Sequence, residues 1–153
     1  MRSSPVAIAI SIVVLFIGLI VLPSYYIGIV NWRNDMDTAM TAGRDFIDKA
    51  IDTRQISQDM EDDLNLALAG CSAHFSYSVV REIPITNPTA GNNGKETYTS
   101  YIQCENLKEE FQTGDIITIE IKQESDTLFQ RIAQTFLSTA YAKKTIRFSA
   151  MVR

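Results

Sequence analysis

The sequence predicts an α+β fold: a transmembrane helix that continues into a small domain with a four-stranded, mainly antiparallel sheet. Three observations predict it. Positions 3–32 carry no charged residue, positions 33–70 show the apolar period of amphipathic helices, and positions 71–153 alternate mainly with the two-residue period of strands. The expected division is an anchor at 1–32 and an α+β domain at 33–153, helical to residue 70.

Composition and charge limit the classes of function. The chain has 153 residues, of which 46% are hydrophobic and 21% charged, so roughly 120 residues after the anchor remain for one modest core. Positions 33–70 hold nine acidic against four basic residues, whereas positions 71–153 hold nine of each. Because no basic patch with interleaved aromatic residues is present, we expect no nucleic-acid partner.

The apolar segment at 6–22 is interrupted only by Ser11 and Gly18. It is longer than the apolar stretch of a cleavable signal peptide, about 7–15 residues, and approaches the length of about 20 that spans hydrocarbon. Its exit, Leu-Pro-Ser-Tyr-Tyr, lacks the small residues of a cleavage site. We therefore expect an uncleaved anchor, kinked at Pro23 because the ring clashes with the carbonyl four residues earlier.

Aromatic residues mark the expected membrane–water interface, where amphipathic rings are favoured. They are Tyr25, Tyr26 and Trp32. On the N-terminal side the anchor is preceded by Arg2 and the α-amino group, and on the other side Arg33 is followed by two aspartates. The positive-inside bias then predicts a single-pass protein of the cell membrane, with a cytoplasmic N-terminus and an extracytoplasmic domain.

Two helices are predicted after the anchor. The membrane helix should continue as an amphipathic stalk to about residue 53, with one apolar face. That face comprises Met36, Met40, Phe46, Ile47, Ala50 and Ile51. Ser57 should cap a second helix that ends at Gly70, and Met60, Leu64, Ala67 and Leu68 form its apolar side. Its acidic start, 59–63, lacks the ligand spacing of an EF-hand and is interpreted as a solvated helix start.

The remainder predicts strands that form a sheet against these helices. The first strand covers 73–83, residues 86–95 are rich in turn-forming residues, and 97–104 returns as the second strand. Ile117, Ile119 and Ile121 alternate with polar residues in the third strand. Residues 128–137 indicate a short amphipathic helix or a packed crossover, and residues 145–152 form a last strand.

The two cysteines, Cys71 and Cys104, are expected to form a disulfide, since the domain is placed outside the cytoplasm. The alternative is two buried free thiols. The single histidine, His74, excludes a multi-histidine metal site, and nucleotide-binding and nucleophile motifs are absent from the sequence. We therefore expect no catalytic, cofactor-binding or metal-binding residues, no cofactor, no small-molecule substrate and no enzymatic activity.

Several features together resemble a known family. Arg2-Ser3-Ser4, the apolar helix, its amphipathic continuation and the small sheet follow one another over most of the chain. The segment Ala39-Met40-Thr41-Ala42-Gly43-Arg44 is rich in small residues, and Thr145 to Arg153 forms a closing strand. In these features the chain resembles the TadE-like family, pilin-related proteins of tight-adherence pilus and secretion systems. Pilin-like proteins usually carry an acidic residue near the start of the apolar helix, at about the place where this chain has Ala7.

The resemblance implies a minor pilin-like structural or assembly component of an envelope-spanning pilus, secretion or transfer system. Its partners would be the lipid bilayer and other pilin-like or secretion-system subunits. A membrane-tethered extracytoplasmic sensor or adaptor domain is the alternative.

Overall fold

The structure is a computed structural model that describes residues 4–88, 97–104, 106–107 and 109–153. Its elements are α1 (Pro5–Phe16), a π-helical turn (Ile17–Val21), α2 (Leu22–Thr53), α3 (Gln58–Ala69), β1 (Phe75–Pro88), β2 (Thr97–Cys104), β3 (Ile116–Gln123), α4 (Leu128–Leu137) and β4 (Thr145–Met151). They form an α+β fold with a long N-terminal apolar helix and a four-stranded antiparallel sheet.

The first three helical elements form one unbroken helix from Pro5 to Thr53. Ser4 caps its start by accepting a hydrogen bond from the Ala7 N–H, and Pro5 occupies the first turn, where a missing N–H leaves no donor unpaired. The helix ends at Arg54, whose left-handed φ of 53° reverses the chain direction. It is uninterrupted between residues 32 and 33, where the sequence was divided into anchor and domain.

The sheet has the order β2-β1-β3-β4, and every neighbouring pair is antiparallel. β1 is longer than predicted because it is shared between two partners. Its first half, from Phe75, pairs with β3, and its second half, to Pro88, pairs with β2. The predicted turn at 86–95 therefore begins inside β1, and residues 89–96 lie outside the described residues.

The core lies between α2 and the sheet. Ile117, Ile119 and Ile121 of β3 are fully buried, as their alternation predicted, and they face the buried side of α2. That side carries Met36, Ala39, Gly43, Phe46, Ile47 and Ala50. Met40, predicted on this face, is 46% exposed, because the small residues beside it make the contact with the sheet instead.

α3 packs beside α2. Ser57 caps it through a bond from the Met60 N–H, and Met60, Leu64 and Leu68 are buried, as predicted. The sequence predicts α3 against the sheet, whereas in the structure the main contacts of α3 are with α2. α4 connects β3 to β4, which resolves the alternative of helix or crossover in favour of a helix, and it packs on the first part of α2.

Candidate membrane-proximal interaction site

The first part of the long helix makes almost no contact with the domain. None of the residues of α1 or the π-helical turn is buried, and their large apolar side chains are 41–72% exposed, apart from that of Val21, which is partly buried. The Ser11 hydroxyl donates to the Ala7 carbonyl, so its polar atom is satisfied within the helix. The helix is long and apolar enough to cross a membrane, with no share of its most apolar window buried, and is a candidate membrane span.

The π-helical turn accommodates Pro23. A proline inside a helix lacks the N–H donor and crowds the carbonyl four residues earlier, here that of Leu19. The Leu22 N–H bonds to the Ile17 carbonyl, so the turn is one residue wider than an α-helical turn immediately before the proline. The helix therefore continues past Pro23 without a break.

An aromatic cluster joins α2 to α4 just beyond this point. The Phe129 ring of α4 lies 6.2 Å from the Tyr25 ring, 5.2 Å from the Trp32 ring and 5.1 Å from the Tyr141 ring, measured between centroids. The hydroxyls of Tyr25 and Tyr141 are 3.3 Å apart. Of the three residues predicted at the membrane interface, Tyr26 is 69% exposed, whereas Tyr25 and Trp32 are partly buried by protein contacts.

Gly28 permits this contact. A Cβ at Gly28 would lie 2.7 Å from the Phe129 Cβ and 2.9 Å from its backbone nitrogen, so only glycine fits. At the start of α4, Thr127 and Gln130 form a capping box, and Gln130 Oε1 also accepts a bond of 2.7 Å from Gln123 at the end of β3. The sheet and the anchor thus fix α4 at both sides.

Asp35 fastens α2 to the corner between α3 and β1. Its buried carboxylate accepts hydrogen bonds from the N–H groups of Ser72 and Ala73, at 3.1 and 3.2 Å, and from the Ser72 hydroxyl. This role could not be predicted from the sequence, because Asp35 lies in an acidic segment that is typical of a solvated face.

A groove of about 590 Å³ runs between α2 and α3. Its floor is apolar, with Phe46 and Leu64, and its rim is acidic, with Asp37 and Asp45. Asp63 at the rim is paired with Lys49 at 2.9 Å, and both side chains are exposed. The groove therefore offers an apolar surface bordered mostly by negative charge.

No protein-family model, curated protein or solved structure matches this chain.

The predicted disulfide is absent, which corrects the expectation for the cysteine pair. Cys71 and Cys104 are free thiols. Cys104 lies opposite Arg81 on β1. Arg81 is six residues from Phe75, the end of β1 that is nearest Cys71 in sequence. At the rise of a β-strand, six residues span about 20 Å. A disulfide requires Cα atoms within about 7 Å.

The surroundings of Cys71 do not activate its thiol. Its sulfur lies 3.6 Å from the Ala67 carbonyl oxygen and 3.8 Å from that of Asp35. Burial, together with the negative charge of Asp35, raises the pKa of the Cys71 thiol, whereas reactive cysteines have a lowered pKa. His74 is exposed, and its backbone N–H donates to Ser125. Within the described ranges, no group of three or more His, Cys, Asp and Glu residues could hold a metal ion.

One buried ion pair stabilises the sheet away from the anchor. Arg81 and Asp115 are 2% and 1% exposed, and their closest atoms, Arg81 Nη2 and Asp115 Oδ2, are 2.6 Å apart. The guanidinium also donates to the carbonyls of Glu109 and Glu110 and lies over the Phe111 ring. All of these contacts are internal, so the pair serves the fold.

Proposed function

We propose that this protein is a minor pilin-like structural or assembly component of an envelope-spanning pilus, secretion or transfer system. One observation carries the proposal: a single helix, Pro5–Thr53, is apolar and uncovered in its first part and packed against an antiparallel sheet in its second. A subunit of this shape can associate with others through the uncovered helix while its domain makes separate contacts.

The uncovered helix supports packing against other apolar helices in a bilayer. Gly18 has no atom within 4 Å of its missing side chain, so a neighbouring helix can approach the backbone there. The order of elements is also the one that the TadE-like resemblance implies. The proposed role requires no enzymatic activity.

The proposal places the domain outside the cytoplasm. Protease added to intact cells or spheroplasts should then remove the domain beyond Trp32. Protection of the domain until the membrane is permeabilised would contradict this orientation. The free cysteines lend the orientation no support, so it depends on the charges beside the anchor.

Crosslinking within the membrane tests the assembly role. A photoreactive amino acid at Val14, which is 61% exposed in α1, should crosslink to a second copy or to another single-pass subunit. Position Leu66 on α3, 77% exposed and far along the chain from the anchor, provides the comparison outside the membrane. Crosslinks from position 14 to lipid alone would contradict a subunit that assembles through its anchor.

The groove between α2 and α3 favours the second candidate, a membrane-tethered sensor or adaptor. Its apolar floor and acidic rim suit a basic amphipathic segment of a partner. An Asp45→Lys change, which reverses an exposed charge on the rim of the groove, would separate the two candidates. Loss of signalling with unchanged anchor crosslinks would favour the adaptor, whereas loss of assembly after changes to the anchor alone would favour the pilin-like role.

A further inference from the structure

We infer that α4 is a second membrane contact, lying in the headgroup region of the same bilayer that the anchor crosses. The inference goes beyond the proposed function but rests on its membrane anchor. In this inference, lipid covers the exposed surface of α4.

α4 begins where the anchor leaves the hydrocarbon. A bilayer core of about 30 Å takes about 20 residues of helix, which from Pro5 extends to about Tyr25. Phe129, in the first turn of α4, contacts Gly28, which is about 5 Å further along the helix than Tyr25. Beyond the other end of α4, the Tyr141 hydroxyl returns to that of Tyr25. Both ends of the segment 128–141 are thus fixed at the level of the membrane–water boundary.

The exposed surface of α4 includes an apolar stripe. Its buried positions are Phe129, Gln130 and Ala133. Leu128, Ile132 and Phe136 follow one another at four-residue intervals and form a separate stripe, in which Leu128 and Phe136 are 58% and 56% exposed. Leu137 and Tyr141 add further exposed apolar surface, at 57% and 42%. A helix that contacted only protein and water would lose free energy by exposing this stripe.

The charge of the segment suits lipid headgroups. Residues 127–144 contain three basic residues and no acidic residue, although Asp126 immediately precedes them and the whole chain has a net charge of −4. Two cations, Arg33 and Lys144, border a cleft of about 340 Å³ beside Trp32, together with the single carboxylate of Asp37. A helix with an apolar stripe and neighbouring basic residues is typical of segments that lie in the interface of anionic membranes.

Lipid therefore covers the α4 stripe as a continuation of the surface that surrounds the anchor. Leu128, Ile132 and Phe136 enter the boundary between headgroups and acyl chains, and Arg131, Lys143 and Lys144 remain among the phosphates. The domain is then held to the membrane at two places, the anchor and α4.

Tryptophan depth measurements on the full-length protein test this inference. Trp32 is the only tryptophan, so a Trp32→Phe background allows a single reporter to be added at Phe136→Trp. Two matched reporters are Leu15→Trp in the anchor and Leu66→Trp on exposed α3. Each variant is reconstituted into phosphatidylcholine vesicles containing phosphatidylglycerol, with acyl chains brominated at a shallow or a deep position, and iodide is used as the aqueous quencher.

The reporter at position 136 should lose most of its emission to shallow bromine and little to iodide, and its emission should shift to shorter wavelength relative to position 66. The reporter at position 66 should respond to iodide alone. If bromine quenches the reporter at position 15 while iodide quenches the reporter at position 136, the inference is overturned but the anchor is supported. Protection of position 136 from both quenchers would overturn it too and would indicate a second copy or another subunit on α4. Absence of lipid quenching at position 15 would contradict the anchor itself, and the inference with it.

Discussion

Individual buried polar residues determine where the helices and strands of this protein meet. Asp35 joins α2 to the start of β1 through two backbone N–H groups, and Gln130 joins α4 to the end of β3. Arg81 and Asp115 are enclosed almost completely. Each of these groups was desolvated on folding and is stabilised only by its partners, so removal of one partner is costly.

Arg81→Ala should destabilise the domain strongly, by about 3–5 kcal/mol, because it leaves the buried Asp115 carboxylate without its counter-charge. Urea unfolding of the detergent-solubilised full chain, followed by circular dichroism, measures the change. Lys49→Ala is the matched control, since the Lys49–Asp63 pair is exposed and solvent screens its charges. Equal unfolding midpoints for the two variants would show that the buried pair does not hold the sheet together.

The second residue-scale prediction concerns the thiols. Alkylation of unfolded protein without reductant should add two groups, because both cysteines are free. In the folded protein Cys71 should react slowly at neutral pH, since its raised pKa leaves less thiolate. The raised pKa means that the folded state holds the proton more tightly, so this contribution to stability is complete below the ordinary thiol pKa and is lost as pH rises through the folded value. Fast labelling of Cys71 at pH 7, located by peptide mass spectrometry, would argue against its partly buried position.

The helices and strands differ in how far sequence could predict them. β2 was predicted with its observed ends, and the start of α3 at Ser57 followed from local capping chemistry. The length of β1 could not be predicted, because it depends on two partners that pair with different halves of one strand. The contact between α4 and Gly28 also depends on tertiary packing. Periodicity identified an apolar stripe on α4 but could not show which part of it meets the anchor.

Gly43 controls the distance between α2 and the sheet. A Cβ there would lie 2.9 Å from Ile121 Cδ1 and 3.1 Å from the Phe148 ring, both packed in or against the core. Gly43→Val should therefore overpack the core and lower the free energy of unfolding by about 1–3 kcal/mol. Gly18→Val is the control, because no atom lies within 4 Å at that position and the residue is on the uncovered helix. Thermal unfolding of both variants in the same detergent makes the comparison, and an unchanged midpoint for Gly43→Val would contradict the close packing.

At the scale of the whole molecule, one continuous helix joins an apolar segment to an α+β domain. The sequence predicted this division from the absence of charge between positions 3 and 32. From the sequence, Tyr25 and Trp32 are predicted to lie at the membrane interface. In the structure both side chains pack on Phe129, so this part of the helix also forms the contact between anchor and domain.

The full chain should sediment with membranes, resist carbonate extraction and retain residues 5–22, because the apolar segment is too long for ordinary signal cleavage. Membrane fractionation followed by N-terminal sequencing of the extracted protein is the measurement. A mature N-terminus near residue 24 would contradict the anchor, whereas one a few residues from Met1 would indicate pilin-type processing.

The unbroken helix has a mechanical consequence. At 1.5 Å per residue, its 49 residues make a rod of about 70 Å, and no loop separates the apolar part from the part clamped to the sheet. A force that rotates or pulls the domain is therefore transmitted directly to the apolar end, since no flexible linker absorbs it. The widened turn at Ile17–Val21 is the one place along this rod where the α-helical hydrogen-bond spacing changes. Bending under load should concentrate at this turn, inside the apolar segment, while the part of the helix that packs against the sheet moves with it as one rigid body.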